Sequence, residues 1–121
     1  MFLATLNKSK QLLRFDFIGQ VRPEELARGR EDVVALVDEL GPGFRVLADF
    51  THLDSMSVGC AAEIGKTMEL SEQKGVALVV RVIPDQTKDI GLGILTHFHY
   101  RHPPQIANCI TMLEAANLLE L

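Results

Sequence analysis

The chain has 121 residues, of which 47% are hydrophobic and 23% charged, and its formal net charge is −4. This balance is typical of a folded domain with its own core and argues against a disordered or polyanion-binding protein. Basic residues are scattered, so no nucleic-acid partner is expected, and no apolar run approaches the roughly 20 residues that cross a bilayer. We therefore predict a single domain over residues 1–121, not transmembrane, in the cytoplasm.

The first 43 residues carry hairpin and helix patterns. Residues 2–6 and 12–18 are short apolar segments separated by a polar turn, which predicts a β-hairpin. Pro23 suits a first helical position, and Gly41-Pro42-Gly43 ends the helix that it opens. Apolar residues recur between them at helical spacing: Leu26, Val33, Val37 and Leu40.

The middle of the chain alternates buried strands with a helix. Residues 44–48 form a short apolar run that predicts a strand, and residues 58–74 have helical periodicity that ends at Gly75 as a carboxyl-terminal cap. Residues 76–83 contain a continuous apolar core, typical of a parallel strand buried on both faces. We predict that this last strand is central in the sheet.

The remaining elements complete an α/β pattern. A third helix is predicted from Asp85 or Thr87 to about Phe98, followed by a strand over 106–110 and a capping box at 111–114 that opens a final helix. The order ββαβαβαβα predicts a mostly parallel sheet with an N-terminal β-hairpin.

Polar residues follow the strand at 44–48. Asp49 closes that strand, and residues 54–59 form a hydroxyl-rich turn, Asp-Ser-Met-Ser-Val-Gly, before the next helix. In open α/β sheets, ligands and partners meet the carboxyl ends of strands, where a helix start also offers free N–H groups. The candidate binding or phospho-switch residues are Asp49, Asp54, Ser55, Ser57, Val58 and Gly59. Both serines remain open to three interpretations: helix cap, phosphoacceptor, or part of an anion pocket with the N–H groups of Val58 and Gly59.

These features together resemble the STAS superfamily, in its SpoIIAA-like branch. The resemblance rests on the element order, on Asp49, on the 54–59 turn, on Glu72-Gln73-Lys74-Gly75 before the strand at 76–80, and on Glu114-Ala115-Ala116. It implies a bacterial regulator, similar to anti-sigma-factor antagonists, that binds a protein partner and has no enzymatic activity or cofactor. It also implies phosphorylation of a serine at the start of the second helix. Counting from Asp49 places Val58 at that position, whereas a shifted register makes Asp54 and Ser55 the Asp-Ser pair.

A histidine patch is the other dense polar segment. His97, His99 and His102 could supply three nitrogens to a divalent metal, but their spacing also fits solvated histidines that complement a helix carboxyl end. The two cysteines, Cys60 and Cys109, form no CxxC pair and are expected to be buried thiols.

Two further possibilities stay open. A pocket for an apolar or acyl-type small molecule could lie between the sheet edge and the glycine-rich third helix at 89–100. The large apolar fraction also predicts a weak or moderate homodimer, since small domains often cover residual apolar surface by two-fold association.

Overall fold

The computed structural model of the chain describes residues 1–85, 96 and 99–121. Within these residues, the strands are β1 (Phe2–Asn7), β2 (Leu12–Phe17), β3 (Gly19–Val21), β4 (Arg45–Asp49), β5 (Leu53–Met56), β6 (Leu78–Val82) and β7 (Gln105–Cys109). The helices are α1 (Pro23–Val37), α2 (Cys60–Gln73) and α3 (Met112–Leu118). Most of the predicted third helix lies outside the described residues.

The main sheet in the described residues has five strands in the order β1-β2-β4-β6-β7. Strand β1 pairs antiparallel with β2, and the other neighbours are parallel. This confirms the predicted α/β class and the N-terminal hairpin. The prediction that the strand at 76–83 is central was wrong: β4 is the middle strand, because both strands of the hairpin lie on one side of it.

A second sheet, not predicted from the sequence, pairs β3 with β5 in parallel. Gln20 lies opposite Ser55 and Val21 opposite Met56. The 54–59 segment was predicted to be a turn, but its first half is strand β5. Both strands are too short to produce a clear alternation of apolar and polar residues, and their pairing joins distant parts of the chain.

The helices cover both faces of the main sheet. The connections from β2 to β4 through α1 and from β4 to β6 through α2 step in the same direction, so right-handed crossovers place both helices on one face. The larger apolar core fills that face, and the smaller core lies under α3 on the other.

Helix boundaries depart from the predictions by a few residues. Helix α1 ends at Val37 rather than Leu40, and α2 begins at Cys60 rather than Val58. Gly75 follows the C-cap of α2 with φ +88°, which confirms its predicted role because this conformation favours glycine. Thr111 caps α3 as predicted, accepting a hydrogen bond from the Glu114 N–H. No helix in the described part of the chain combines the length and apolar character needed to cross a membrane.

Candidate functional site

The segment of residues 54–59, here called the switch segment, lies at the surface and comprises the last three residues of β5 and the turn that leads to α2. Its side chains are exposed except that of Met56, which is half-buried, and Val58 has 93% of its surface exposed. The residues on either side, Leu53 and Cys60, are both buried. The switch segment is therefore a short, mostly exposed strand end and turn, flanked on both sides by core residues.

The start of α2 does not use a serine hydroxyl as its cap. Gly59 is the N-cap residue and makes no side-chain capping bond. Instead, the Cys60 N–H donates to the Ser57 carbonyl at 3.0 Å, and the Ala61 N–H donates to the Val58 carbonyl at 3.1 Å. The interpretation of Ser57 as a side-chain helix cap was therefore wrong, because the backbone turn satisfies these N–H groups.

Asp49 lies apart from the switch segment. It is only 4% exposed, and its carboxylate accepts hydrogen bonds from the Thr51 N–H at 2.9 Å and the Thr51 hydroxyl at 2.5 Å. Arg14 Nη2 lies 3.3 Å from the other Asp49 oxygen, and Arg14 also pairs with Asp16. The hydrogen bond to Asp16 is the largest contribution that raises the pKa of Arg14. The register of β2 and β4 puts these charges on the α3 face of the sheet, opposite α2.

Both cysteines are buried, as predicted. Cys60 opens α2, and its Sγ lies 3.4 Å from the Val21 carbonyl and 3.8 Å from the Ser57 hydroxyl. The thiol of Cys60 therefore links the start of α2 to strand β3. Burial raises the pKa of the other thiol, that of Cys109.

Of the predicted histidine patch, His99 contacts α2. His99 Nδ1 lies 2.9 Å from Glu69 Oε1, and the imidazole packs so closely on Gly65 that a Cβ there would collide with it. His102 is exposed, and His97 lies outside the described residues. The described residues contain no group of three side chains that could hold a metal.

A second carboxylate of α2, that of Glu72, binds backbone N–H groups of the same segment, residues 99–102. Glu72 accepts hydrogen bonds from the N–H groups of Arg101 and His102 at 2.9–3.1 Å, and these bonds lower the pKa of Glu72, the His102 bond most of all. The sequence analysis missed this clamp. Its only sequence signal is that Gly65, Glu69 and Glu72 follow one another at helical spacing on one face of α2.

A partly open cavity of about 50 Å³ lies between the main sheet and helices α1 and α2. The described part of its wall is mostly apolar and includes Ala48, Met68 and Tyr100, together with the buried Arg81. Burial raises the pKa of Tyr100 to about 12. Most of residues 89–100, beside which a pocket was predicted, lie outside the described residues; of those described, Tyr100 lines this cavity.

No protein-family model and no curated protein matches the chain. Solved structures do match. The anti-sigma factor antagonist SpoIIAA in its unphosphorylated form matches with a TM-score of 0.64 at 14% identity, over 99% of this chain and 98% of that chain. The Bacillus cell fate determinant SpoIIAA in its phosphorylated form gives 0.60 at 15% identity, over 98% and 99%. An uncharacterized DUF3478-family protein with a SpoIIAA-like fold, from Shewanella loihica PV-4, gives 0.68 at 16% identity, over 98% and 92%.

At these identities the likeness concerns the fold, and it extends over nearly the whole of each chain. The chain has a SpoIIAA-like, STAS-type fold. This confirms the architecture that the resemblance of the sequence implied.

Proposed function

We propose that this domain is a non-enzymatic regulatory module that binds a protein partner through the switch segment. The observation that carries the proposal is the exposure of this polar segment between two buried residues, Leu53 and Cys60. A loop fixed at both ends presents its side chains in a defined place, so a partner can recognise them without first ordering the loop. The exposed apolar side chain of Val58, next to the last residue of the segment, gives a partner an apolar contact.

Phosphorylation is the chemistry that we propose for switching. Ser55 and Ser57 are both exposed, and Ser57 is nearer to the positive end of the α2 dipole. A phosphate there would add about two negative charges to the partner surface without entering the core. We therefore favour Ser57 as the acceptor and keep Ser55 as the alternative.

The likeness to SpoIIAA supports this proposal. That protein is described as an anti-sigma factor antagonist and has been solved in phosphorylated and unphosphorylated forms. A domain of the same fold with exposed serines before its second main helix suits the same type of regulation. We infer by the same analogy that the protein acts in the bacterial cytoplasm.

The test is affinity capture of partners from the source cell with four forms of the chain: wild type, Ser57→Asp, Ser55→Asp and Ser9→Asp. Ser9 is an exposed serine in the hairpin turn, at the end of the sheet where β2 and β4 begin, and serves as the matched control. We expect a partner bound by wild type and Ser9→Asp to bind Ser57→Asp about tenfold more weakly in a titration, because the added negative charge is unfavourable at the partner surface. A partner that binds all four forms equally would contradict the proposal.

We also propose weak self-association through the carboxyl-terminal surface. Four of the exposed large apolar residues lie there: Ile110, Leu113, Leu118 and Leu121. Sedimentation across the micromolar range should show a concentration-dependent dimer in wild type and a monomer in Leu113→Glu. A wild-type protein that stays monomeric at all of these concentrations would contradict the proposed self-association.

A further inference from the structure

We propose, resting on the proposed function that makes Ser57 the phosphoacceptor, that Arg22 binds the phosphate on Ser57. Arg22 is the N-cap residue of α1 and follows strand β3, whereas Ser57 follows strand β5. The pair ties the switch segment to the beginning of α1. Phosphorylation therefore changes the surface of two elements of the fold rather than one.

The pairing of β3 with β5 brings these two residues together. The strands are parallel, with Val21 opposite Met56 at the end of the register. The next residues along the two strands are Arg22 and Ser57. Arg22 keeps an extended backbone, with φ −111° and ψ 153°. Paired strands lie about 4.8 Å apart, and successive side chains alternate between their two faces. Val21 is buried and Met56 half-buried, whereas the next pair is exposed and lies on the outer face.

Two side-chain contacts hold the same neighbourhood together. The Sγ of Cys60 lies 3.4 Å from the Val21 carbonyl and 3.8 Å from the Ser57 hydroxyl, so one buried thiol connects β3 with the acceptor. Pro23, the first residue of α1, packs against Gly59 so closely that a Cβ there would lie 3.0 Å from the proline Cγ. The beginning of α1 is therefore packed on the turn that carries the acceptor.

The side chain of Arg22 is available to an anion. It is exposed, does not cap α1, and has no hydrogen bond or ion pair in the part of the chain that the structure describes. Three carboxylates are close in sequence to the pair. Glu25 binds the chain's amino terminus at 3.2 Å, and Glu24 and Asp54 are exposed. A phosphate carries nearly two charges and three acceptor oxygens, so it binds a guanidinium more strongly than a carboxylate does.

Phosphorylation supplies the anion at this place. The Ser57 hydroxyl oxygen bonds to the γ-phosphorus of a nucleoside triphosphate, the bond from that phosphorus to the leaving diphosphate breaks, and the hydroxyl proton passes to a base of the kinase. The Arg22 guanidinium then donates two parallel N–H groups to two phosphate oxygens, a geometry that lysine does not form. Aspartate is shorter and carries one charge, so Ser57→Asp reproduces this pair only in part.

The experiment measures the acidity of the phosphate in the full chain. Phosphoserine is installed at position 57 in four forms of the protein: wild type, Arg22→Gln, Arg22→Lys and Arg28→Gln. Arg28 is an exposed arginine of the same helix, so its substitution is matched for the loss of charge. Titration by phosphorus NMR gives the second pKa of the phosphate, which is about 6 in the absence of neighbours. A nearby cation favours the dianion and lowers this pKa.

We expect the phosphate pKa to be about 0.5 lower in wild type than in Arg22→Gln, which is about a threefold change in acidity, because the pair is exposed and screened. Arg22→Lys should retain part of this lowering, and Arg28→Gln should match wild type. With phosphoserine at position 55 instead, opposite Gln20, the effect of Arg22→Gln should fall to about half or less.

Equal phosphate pKa values in wild type and Arg22→Gln, or an equal effect of Arg28→Gln, would overturn the proposal. Melting curves verify that each form is folded. If Arg22→Gln does not fold, the wild-type phosphates at positions 57 and 55 are compared, and equal pKa values would again contradict the pair. No partner takes part in these measurements. The pair can therefore fail while Ser57→Asp still weakens a partner, and the pair can be present although no partner responds to Ser57→Asp.

Discussion

The two polar segments that adjoin α2 are held in different ways. The switch segment precedes the helix, and its exposed side chains point into solvent between two buried residues. The segment at 99–102 lies beside the carboxyl-terminal half of α2, which binds the His99 ring through Glu69 and two backbone N–H groups through Glu72. Both segments are rich in polar residues. The side chains of the switch segment are exposed to a partner, whereas residues 99–102 are bonded to α2 and form part of the folded framework.

The difference shows that acceptors on a neighbouring element decide the role of a polar segment. Helix α2 offers two carboxylates at its far end, and there the chain folds back onto the helix. At its beginning, the backbone of the turn satisfies the first N–H groups, so the hydroxyls remain at the surface. The predictions below would break or sharpen this contrast.

The largest effect is expected from Gly65→Ala. Alanine normally favours a helix over glycine by about 1 kcal/mol, but here the new methyl group collides with the His99 ring. We expect the free energy of unfolding to fall by about 1–2 kcal/mol, as for overpacking elsewhere. In a His99→Ala background the same substitution should stabilise the protein. Urea unfolding of the four forms tests this cycle, and a Gly65→Ala variant more stable than wild type would show that the contact does not matter.

A smaller effect is expected from Glu72→Gln. Because hydrogen bonds lower the pKa of Glu72 in the folded protein, its contribution to stability is present above the ordinary glutamate pKa of about 4.3 and is lost as pH falls through the lower folded value. The variant should melt below wild type at neutral pH and depend less on pH below about 4.3. Glu31→Gln, on the exposed side of α1, is the matched control. Identical pH profiles for wild type and Glu72→Gln would argue against the clamp.

Replacing His97, His99 and His102 together with alanine should separate stability from partner binding. Loss of the His99 contacts with α2 should lower the melting temperature, whereas affinity for a captured partner should stay within about twofold of wild type, an energy of less than 0.5 kcal/mol. Binding titrations below the melting temperature test this. If the histidine variant loses the partner while Ser57→Asp retains it, the functional surface lies at the other end of α2.

The smallest effect on stability is expected from Ser57→Asp. The residue is exposed and its hydroxyl does not cap α2, so the free energy of unfolding should change by no more than about 0.5 kcal/mol. Thr111→Ala, which removes the capping bond to Glu114, should cost about 1 kcal/mol in the same measurement. A large loss for Ser57→Asp would mean that the switch segment is structural.

Local patterns account for what the sequence could predict. Apolar runs and helical spacing identified the five strands of the main sheet and helices α1 and α2, because each of these elements buries one or two faces in a core, and a capping box identified α3. The sequence also pointed to the carboxyl end of β4 and to the exposed serines after it. It did not identify β3 and β5, the clamp formed by Glu69 and Glu72, or the separation of Asp49 from the switch segment. Each of these depends on which residues meet across the folded chain, and no local periodicity records such contacts.

The pairing of β5 with β3 has a consequence for how this domain can diversify. Main-chain pairing with Gln20 and Val21, together with burial of Leu53, fixes the beginning of the switch segment. None of these contacts uses the side chains of Asp54 or Ser55, which are exposed. Their identities can therefore change while the loop keeps its place. Duplicated copies of such a domain could acquire new partners by surface substitutions alone, without re-evolving the scaffold that presents them.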